Sequence, residues 1–102
     1  MSIRILTWTR LTDGRPQLWA MTDQNKLVSK WQLSGTDADP KWADWSPFPA
    51  PTGIIRTLMG ANLHDGRPQL WAVTTELGVF TVQKVTTNPD AAWSSWTKFD
   101  SP

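Results

Sequence analysis

The sequence predicts an all-β fold built from two copies of one four-stranded antiparallel sheet. The octapeptide Asp-Gly-Arg-Pro-Gln-Leu-Trp-Ala occurs at Asp13–Ala20 and again at Asp65–Ala72, in a chain of 102 residues. After a one-residue slip near 34–36, the segment Trp42–Phe48 returns as Trp93–Phe99. Short β-branched or apolar runs bounded by turn residues fill each copy, and no helical periodicity is visible.

Four strands are predicted in the first copy. Ile3–Thr9 is β-branched and apolar, and the Asp13-Gly14 pair that follows is a hairpin turn signal. Pro16–Thr22 is the second strand, because proline is tolerated at a first strand position, where its missing N–H is not needed. The remaining elements of this copy are a strand at Leu27–Leu33, a polar loop at Ser34–Lys41 and a short strand at Ala43–Phe48.

The second copy follows the same plan. The proline-rich link Pro49–Gly53 is a loop signal between two strands and marks the boundary between the copies. We therefore divide the chain into two units, residues 1–51 and residues 52–102. The predicted strands of the second unit are Ile54–Ala61, Pro68–Thr74, Val79–Val85 and Ser94–Phe99.

The strands carry apolar groups on both faces, as in Gln17–Met21, which is expected of a sheet packed between two others. Four-stranded sheets packed face to face around an axis are the blades of a β-propeller, and repeats of roughly 50 residues suit blades. Two blades cannot close a ring and would leave two broad apolar faces in water. We therefore expect a homo-oligomer that closes a ring, with a tetramer of eight blades favoured and a trimer of six as the alternative.

The composition excludes several classes of function. Ten Lys and Arg against nine Asp and Glu give a net charge of +1, so we expect no nucleic-acid partner and no membrane partner. Cysteine is absent, which excludes disulfides and thiolate metal sites. No phosphate loop, metal-ligand spacing or nucleophile motif is present, and the single histidine, His64, lies in a turn. We expect no enzyme activity, no cofactor and no metal.

The chain has eight Trp and no Tyr, and two of its motifs contain Trp at fixed spacing. The Trp-x-x-Trp-x-x-Phe segments, Trp42–Phe48 and Trp93–Phe99, together with an Asp-Gly-Arg turn before Leu-Trp-Ala, resemble the Trp-rich bacterial β-propeller lectins. This group includes the fucose-binding Photorhabdus lectin, and the likeness extends more loosely to the tachylectin-2 type. It covers nearly all of both repeats.

The resemblance implies carbohydrate binding in clefts between neighbouring blades, with indole rings against the sugar and a fucose-type sugar as the candidate ligand. Members of the family carry a complete ring in one chain, whereas this chain has two blades. That difference leaves open a fragment, or an engineered or ancestral-like scaffold that assembles itself and has no ligand.

Candidate ligand residues gather at one end of the predicted sheets, because the first-to-second and third-to-fourth connections of a meander emerge together. Sugars suit an aromatic platform with a few oriented polar groups. Trp31 is included because Gln83 replaces it in the other copy, so the blade framework does not require an indole there. The arginines are also open to structural pairing with an aspartate or backbone carbonyls of the adjacent blade, and the loop-margin tryptophans to packing. The candidate ligand-binding residues are Trp31, Trp42, Trp93, Arg15, Arg67, Asp39, Asp90 and Lys41.

The other tryptophans are expected to pack. Trp19 and Trp71 lie mid-strand among Leu and Ala, which predicts wedges between blades. Trp45 and Trp96 are expected to be framework as well. Trp8 has no aromatic counterpart in the second copy, and a first strand lines the central channel of a propeller.

Overall fold

The computed structural model describes residues 2–36, 39–51, 53–75, 78–88 and 92–99, of which 34–36 and 39–40 are described for their backbone alone. All regular elements in these ranges are β-strands. None of the described residues forms a helix with the length and apolar character that crossing a bilayer requires. The strands are β1 (Ile3–Arg10), β2 (Pro16–Thr22), β3 (Leu27–Thr36), β4 (Asp39–Trp42), β5 (Ser46–Pro47), β6 (Ile55–Asn62), β7 (Pro68–Thr74), β8 (Val79–Gln83) and β9 (Thr97–Phe99).

The strands form two antiparallel meanders, which confirms the prediction of two repeated sheets. Sheet 1 has the order β1-β2-β3-β4, and β5 pairs with the opposite end of β3 from β4. Sheet 2 has the order β6-β7-β8-β9. Strands that are neighbours in the chain are therefore neighbours in the sheet, and the link between β5 and β6 joins the two sheets.

The Asp-Gly pair of each octapeptide makes the predicted turn. Gly14 has φ +94° and Gly66 has φ +96°, in the left-handed region where glycine carries no steric penalty. The turn is closed by backbone hydrogen bonds from the Gly14 N–H to the Leu11 carbonyl at 2.8 Å and from the Leu11 N–H to the Arg15 carbonyl at 2.7 Å. Identical residues thus give the same local structure twice.

The prediction of a polar loop at Ser34–Lys41 was wrong. β3 continues to Thr36 and pairs with β4, from Gln32 opposite Trp42 to Thr36 opposite Asp39. Backbone N–H and C=O groups need partners whatever the side chains are, and a hairpin supplies them. A polar hairpin lacks the alternating pattern by which a half-buried strand is recognised.

The fourth strands are shorter than predicted. In place of Ala43–Phe48 the chain forms β5, which has two residues and includes Pro47, and proline donates nothing to a ladder. In place of Ser94–Phe99 it forms β9, which begins three residues later at Thr97. There the Ser94 hydroxyl accepts the Gln83 N–H at 3.1 Å, so a side chain replaces a ladder contact.

The core lies between the two sheets, and Trp19 is its largest fully buried side chain, with 0% exposure. Its ring packs edge to face on the rings of Phe48 and Trp93, with ring centroids 4.8 Å and 5.2 Å apart respectively. Its indole N–H donates to the buried Thr9 hydroxyl at 3.0 Å, so the one polar atom of the ring is satisfied. The predicted wedge role of Trp19 is confirmed.

The first strands of the sheets, β1 and β6, lie against each other. Gly60 permits this approach, because a Cβ there would lie 2.6 Å from the Trp8 carbonyl oxygen and 2.7 Å from Thr9 Cγ2. The Asn62 amide then joins the strands, accepting the Arg10 N–H at 2.9 Å and donating to the Arg10 carbonyl at 2.7 Å. The two sheets are therefore fastened along their first strands.

Gly60→Ala is expected to destabilise the chain by about 1–3 kcal/mol, because the added methyl group must push the β1 backbone away. Ala61→Ser is the matched control, since it adds one heavy atom at the next position, which is exposed. The free energy of unfolding in urea measures both variants. Equal values for the two would contradict the close-approach role of Gly60.

Candidate binding cleft between the sheets

A cleft of about 600 Å³ opens between the two sheets. Its walls come from the link that follows β5, from β8 and from the segment that precedes β9. Aromatic and proline rings make up most of the lining. The lining residues are Phe48, Pro49, Ala50, Pro51, Phe80, Val82, Trp93, Ser94, Ser95 and Trp96.

Contacts between the sheets fix the shape of this cleft. The Trp96 indole N–H donates to the Pro49 carbonyl at 2.6 Å and so holds the link of sheet 1 against the Trp-rich segment of sheet 2. The Trp93 ring packs edge to face on Phe48 at 5.3 Å and on Trp19 at 5.2 Å. Trp93 is therefore part of the framework and part of the cleft lining at the same time.

The cleft is aromatic and carries few polar groups. The Ser94 hydroxyl accepts the Gln83 N–H at 3.1 Å and donates to the Ser95 carbonyl at 3.1 Å, whereas the Ser95 hydroxyl has no partner in the part of the chain that the structure describes. The Lys84 ammonium lies over the Trp93 ring, 5.7 Å from its centroid. No charged side chain is among the described lining residues. This lining suits a neutral ligand with an apolar face and hydroxyl groups.

The described residues contain no group of three or more His, Asp or Glu placed to hold a metal ion. The described part of the cleft lining includes no carboxylate and no histidine.

Both octapeptide arginines are engaged in their own turns. Arg15 Nε lies 2.8 Å from Asp13 Oδ2, and its Nη1 donates to the Gln32 carbonyl at 3.0 Å. Arg67 repeats this arrangement: its Nε lies 2.8 Å from Asp65 Oδ2, and its Nη1 donates to the Lys84 carbonyl at 3.1 Å, one residue beyond β8. Each arginine joins the residue before one strand to the backbone of the next strand, or just beyond it, in the same sheet. The pairing is structural, but it lies within one sheet and not with the adjacent blade.

The Arg67 contacts also act on the ionisation of Asp65. Desolvation would raise the pKa of this carboxyl, but hydrogen bonds from the Arg67 backbone N–H and guanidinium, with the guanidinium charge, hold the pKa below its ordinary value. The ionised form of Asp65 is thus favoured in the folded turn.

Among the predicted tryptophans, Trp93 lines the cleft and the other two lie elsewhere. Trp31 pairs with Gln17 where β2 and β3 are hydrogen-bonded. It lies two residues after Ser29, which is the residue opposite Trp19. Trp42 ends β4, where it pairs with Gln32. The structure therefore separates these side chains instead of gathering them at one platform.

Of the three charged loop candidates, Lys41 is described with its side chain and is not among the described lining residues of the cleft. Lys41 is exposed at the end of the β3–β4 hairpin. The backbone of Asp39 belongs to β4, and its side chain is not described. Asp90 lies outside the described residues.

Sequence reasoning missed the remaining walls of the cleft. The sequence predicts Pro49–Gly53 as a link between the sheets, and it predicts Phe80 as part of the strand Val79–Val85. Two signals point to them: the proline-rich segment directly follows Phe48, and the Trp93 and Trp96 pair encloses two small residues that leave room between the rings.

A second, more open depression of about 420 Å³ lies where β1 and β6 meet. Trp8, which is 54% exposed, forms one side, and the Arg10 guanidinium lies over its ring at 5.4 Å. Arg10 Nη1 also donates to the Gly14 carbonyl at 3.1 Å. Asn62 and Gly66 complete the rim of this depression.

No protein-family model matches the chain. It is similar to Kelch-like protein 40 of Mus musculus, with 36% identity over 61 residues. The matched segment covers 60% of this chain and 10% of the mouse protein, so the chain spans about a tenth of the length of that relative. Kelch repeats are propeller blades of roughly 50 residues, so the similarity agrees with a β-propeller-type repeat.

Asp65→Asn is expected to lower the melting temperature at near-neutral pH, because the ionised carboxylate that Arg67 binds is removed. Because folding lowers the pKa of Asp65, its carboxylate stabilises the folded state at pH values above the ordinary pKa. This stabilisation is lost as the pH falls through the lowered pKa of the folded state. The difference in melting temperature between wild type and variant should therefore vanish on acidification. A difference independent of pH would contradict this assignment.

Proposed function

We propose that this protein is a non-enzymatic carbohydrate-binding module of β-propeller type, with its sugar site in the cleft between the two sheets. The observation that carries the proposal is the cleft itself, which joins four aromatic rings, from Phe48, Phe80, Trp93 and Trp96, to serine hydroxyls, with no charged side chain among its described lining residues. Ligand pockets of roughly 300–1,000 Å³ lined by apolar groups and a few polar ones are typical of small-molecule sites.

The chemistry of a sugar matches this lining. Indole and phenyl rings cover the C–H face of a pyranose, and the Ser95 hydroxyl is available to a sugar oxygen. A deoxy sugar such as fucose presents a methyl group in addition, which suits a cleft rich in rings and without charge. The resemblance to the Trp-rich bacterial propeller lectins supports the same class of ligand.

We further propose that each sheet is a propeller blade and that copies of the chain close a ring, as a tetramer in preference to a trimer. Support comes from the meander order of both sheets, from the contact between their first strands, and from the kelch similarity. Repeated clefts around a ring would bind multivalent glycans more tightly than one cleft binds one sugar, through effective concentration.

Ser95→Tyr tests the sugar site. Ser95 is exposed at the cleft, so the larger side chain should fill it without disturbing the core and should abolish binding of L-fucose in isothermal titration calorimetry. Thr87→Tyr is the matched control at an exposed position away from the cleft and should bind as wild type. Equal binding by both variants would place the sugar elsewhere.

A glycan array with the wild-type chain separates the lectin from the self-assembling scaffold without a ligand. Light scattering on the same sample should give the mass of a tetramer. A ring that binds no glycan would favour the scaffold, and a monomer would contradict ring closure.

A further inference from the structure

The two outward faces of the chain carry residues equivalent to those of the two faces buried against each other inside it, except along the first strands, where Trp8 stands at the position equivalent to Gly60. On the outer face of sheet 2, Val73 is 38% exposed, although its counterpart Met21 in sheet 1 is 1% exposed. On the outer face of sheet 1, Leu6 is 57% exposed, although its counterpart Leu58 is 6% exposed. Each outer face is therefore half of an interface whose other half lies at the opposite end of the same chain.

The aromatic cluster of the core is repeated incompletely on the outer face of sheet 2. Inside the chain, Trp19 contacts Phe48 at 4.8 Å and Trp93 at 5.2 Å. On the outer face, the Trp71 ring contacts Phe99 at the same 4.8 Å and at a similar interplanar angle. The ring that corresponds to Trp93 is missing from this second cluster within one chain.

The missing ring has a counterpart in the sequence, because Trp42 occupies the position in sheet 1 that Trp93 occupies in sheet 2. We propose that a second copy docks head to tail on sheet 2, that its Trp42 completes the cluster with Trp71 and Phe99, and that the junction forms a second sugar cleft with residues from both copies. This inference rests on the proposed function and extends it to a site that no single chain contains.

The junction cleft differs in charge from the cleft inside the chain. In the alignment of the two copies, Lys30 of sheet 1 is equivalent to Val82 of sheet 2, and Asp44 is equivalent to Ser95. The Lys30 ammonium lies 5.1 Å from the centroid of the Trp45 ring, so its chain already runs along an indole. Val82 is 1% exposed, so docking would cover the Lys30 stem and leave its ammonium directed to the cleft.

These two charges define the class of ligand. An ammonium group donates to sugar oxygens, and a carboxylate accepts from two neighbouring hydroxyls. A covered ammonium also needs an acceptor, since burying it without one is costly. The junction cleft therefore takes a neutral sugar with vicinal hydroxyls, a class that includes D-mannose and L-fucose, whereas the described lining of the cleft inside the chain contains no charged residue. A closed ring alternates the two kinds of site.

Trp42→Ala tests the interface. The expected result is a folded monomer by light scattering and circular dichroism, because Trp42 is absent from the core cluster of the single chain. Trp93→Ala is the matched change at the equivalent position and should lower the melting temperature of the chain itself, because Trp93 packs on that core. Assembly of the Trp42→Ala variant as in wild type, or a monomeric wild type, would overturn the proposal.

Lys30→Met tests the second cleft. Calorimetry of the assembled wild type with D-mannose and L-fucose should give two sites per chain, and the variant should still assemble but retain one. Two retained sites would overturn the junction cleft while leaving the proposed function intact, whereas absence of all sugar binding in wild type would refute both. If Lys30→Met fails to assemble, Asp44→Ser, which copies Ser95, gives the same readout.

Discussion

The position of the two sheets depends on one side chain, Trp19, which stands between them with its ring edges against Phe48 and Trp93. A buried indole contributes a large apolar area, and each edge-to-face contact adds roughly 0.5–1.5 kcal/mol beyond area burial. The Thr9 hydroxyl removes the penalty for burying the indole N–H. This cluster sets the separation of the sheets, and the cleft exists because the rings hold them apart at its rim.

The parts of the fold that depend on local chemistry were predictable from the sequence. The Asp-Gly turns need a left-handed glycine, and both strands that follow them have the predicted bounds, Pro16–Thr22 and Pro68–Thr74. The hairpin over Gln32–Trp42 was not predictable, because its pairing is made by backbone groups under a polar sequence. Comparison of the two copies predicted the strands correctly where their sequences agree. It failed for the fourth strands, where a proline or a serine hydroxyl replaces a backbone hydrogen bond of the sheet.

The candidate site was predictable in part. Trp93 could be identified because it begins a repeated Trp-x-x-Trp motif at a loop margin, and the structure places it in the cleft. Phe80 and Pro49–Pro51 could not, because they meet Trp93 only through the packing of one sheet on the other. Arg15 carried hydrogen-bonding capacity that suits a ligand, but the turn that presents it also uses it.

The crossing of β1 and β6 limits how alike the two copies can be. The octapeptides of the two copies are identical, but the equivalent segments 7–10 and 59–62 differ at every position. In the alignment of the copies, the sequence Thr-Trp-Thr-Arg is replaced by Met-Gly-Ala-Asn. One strand must give up a side chain so that the other can pass within contact of its backbone. A tryptophan at position 60, the residue that the first copy carries at position 8, would hold β6 away from the β1 backbone inside this chain, so the contact between the two sheets requires the copies to differ at this position.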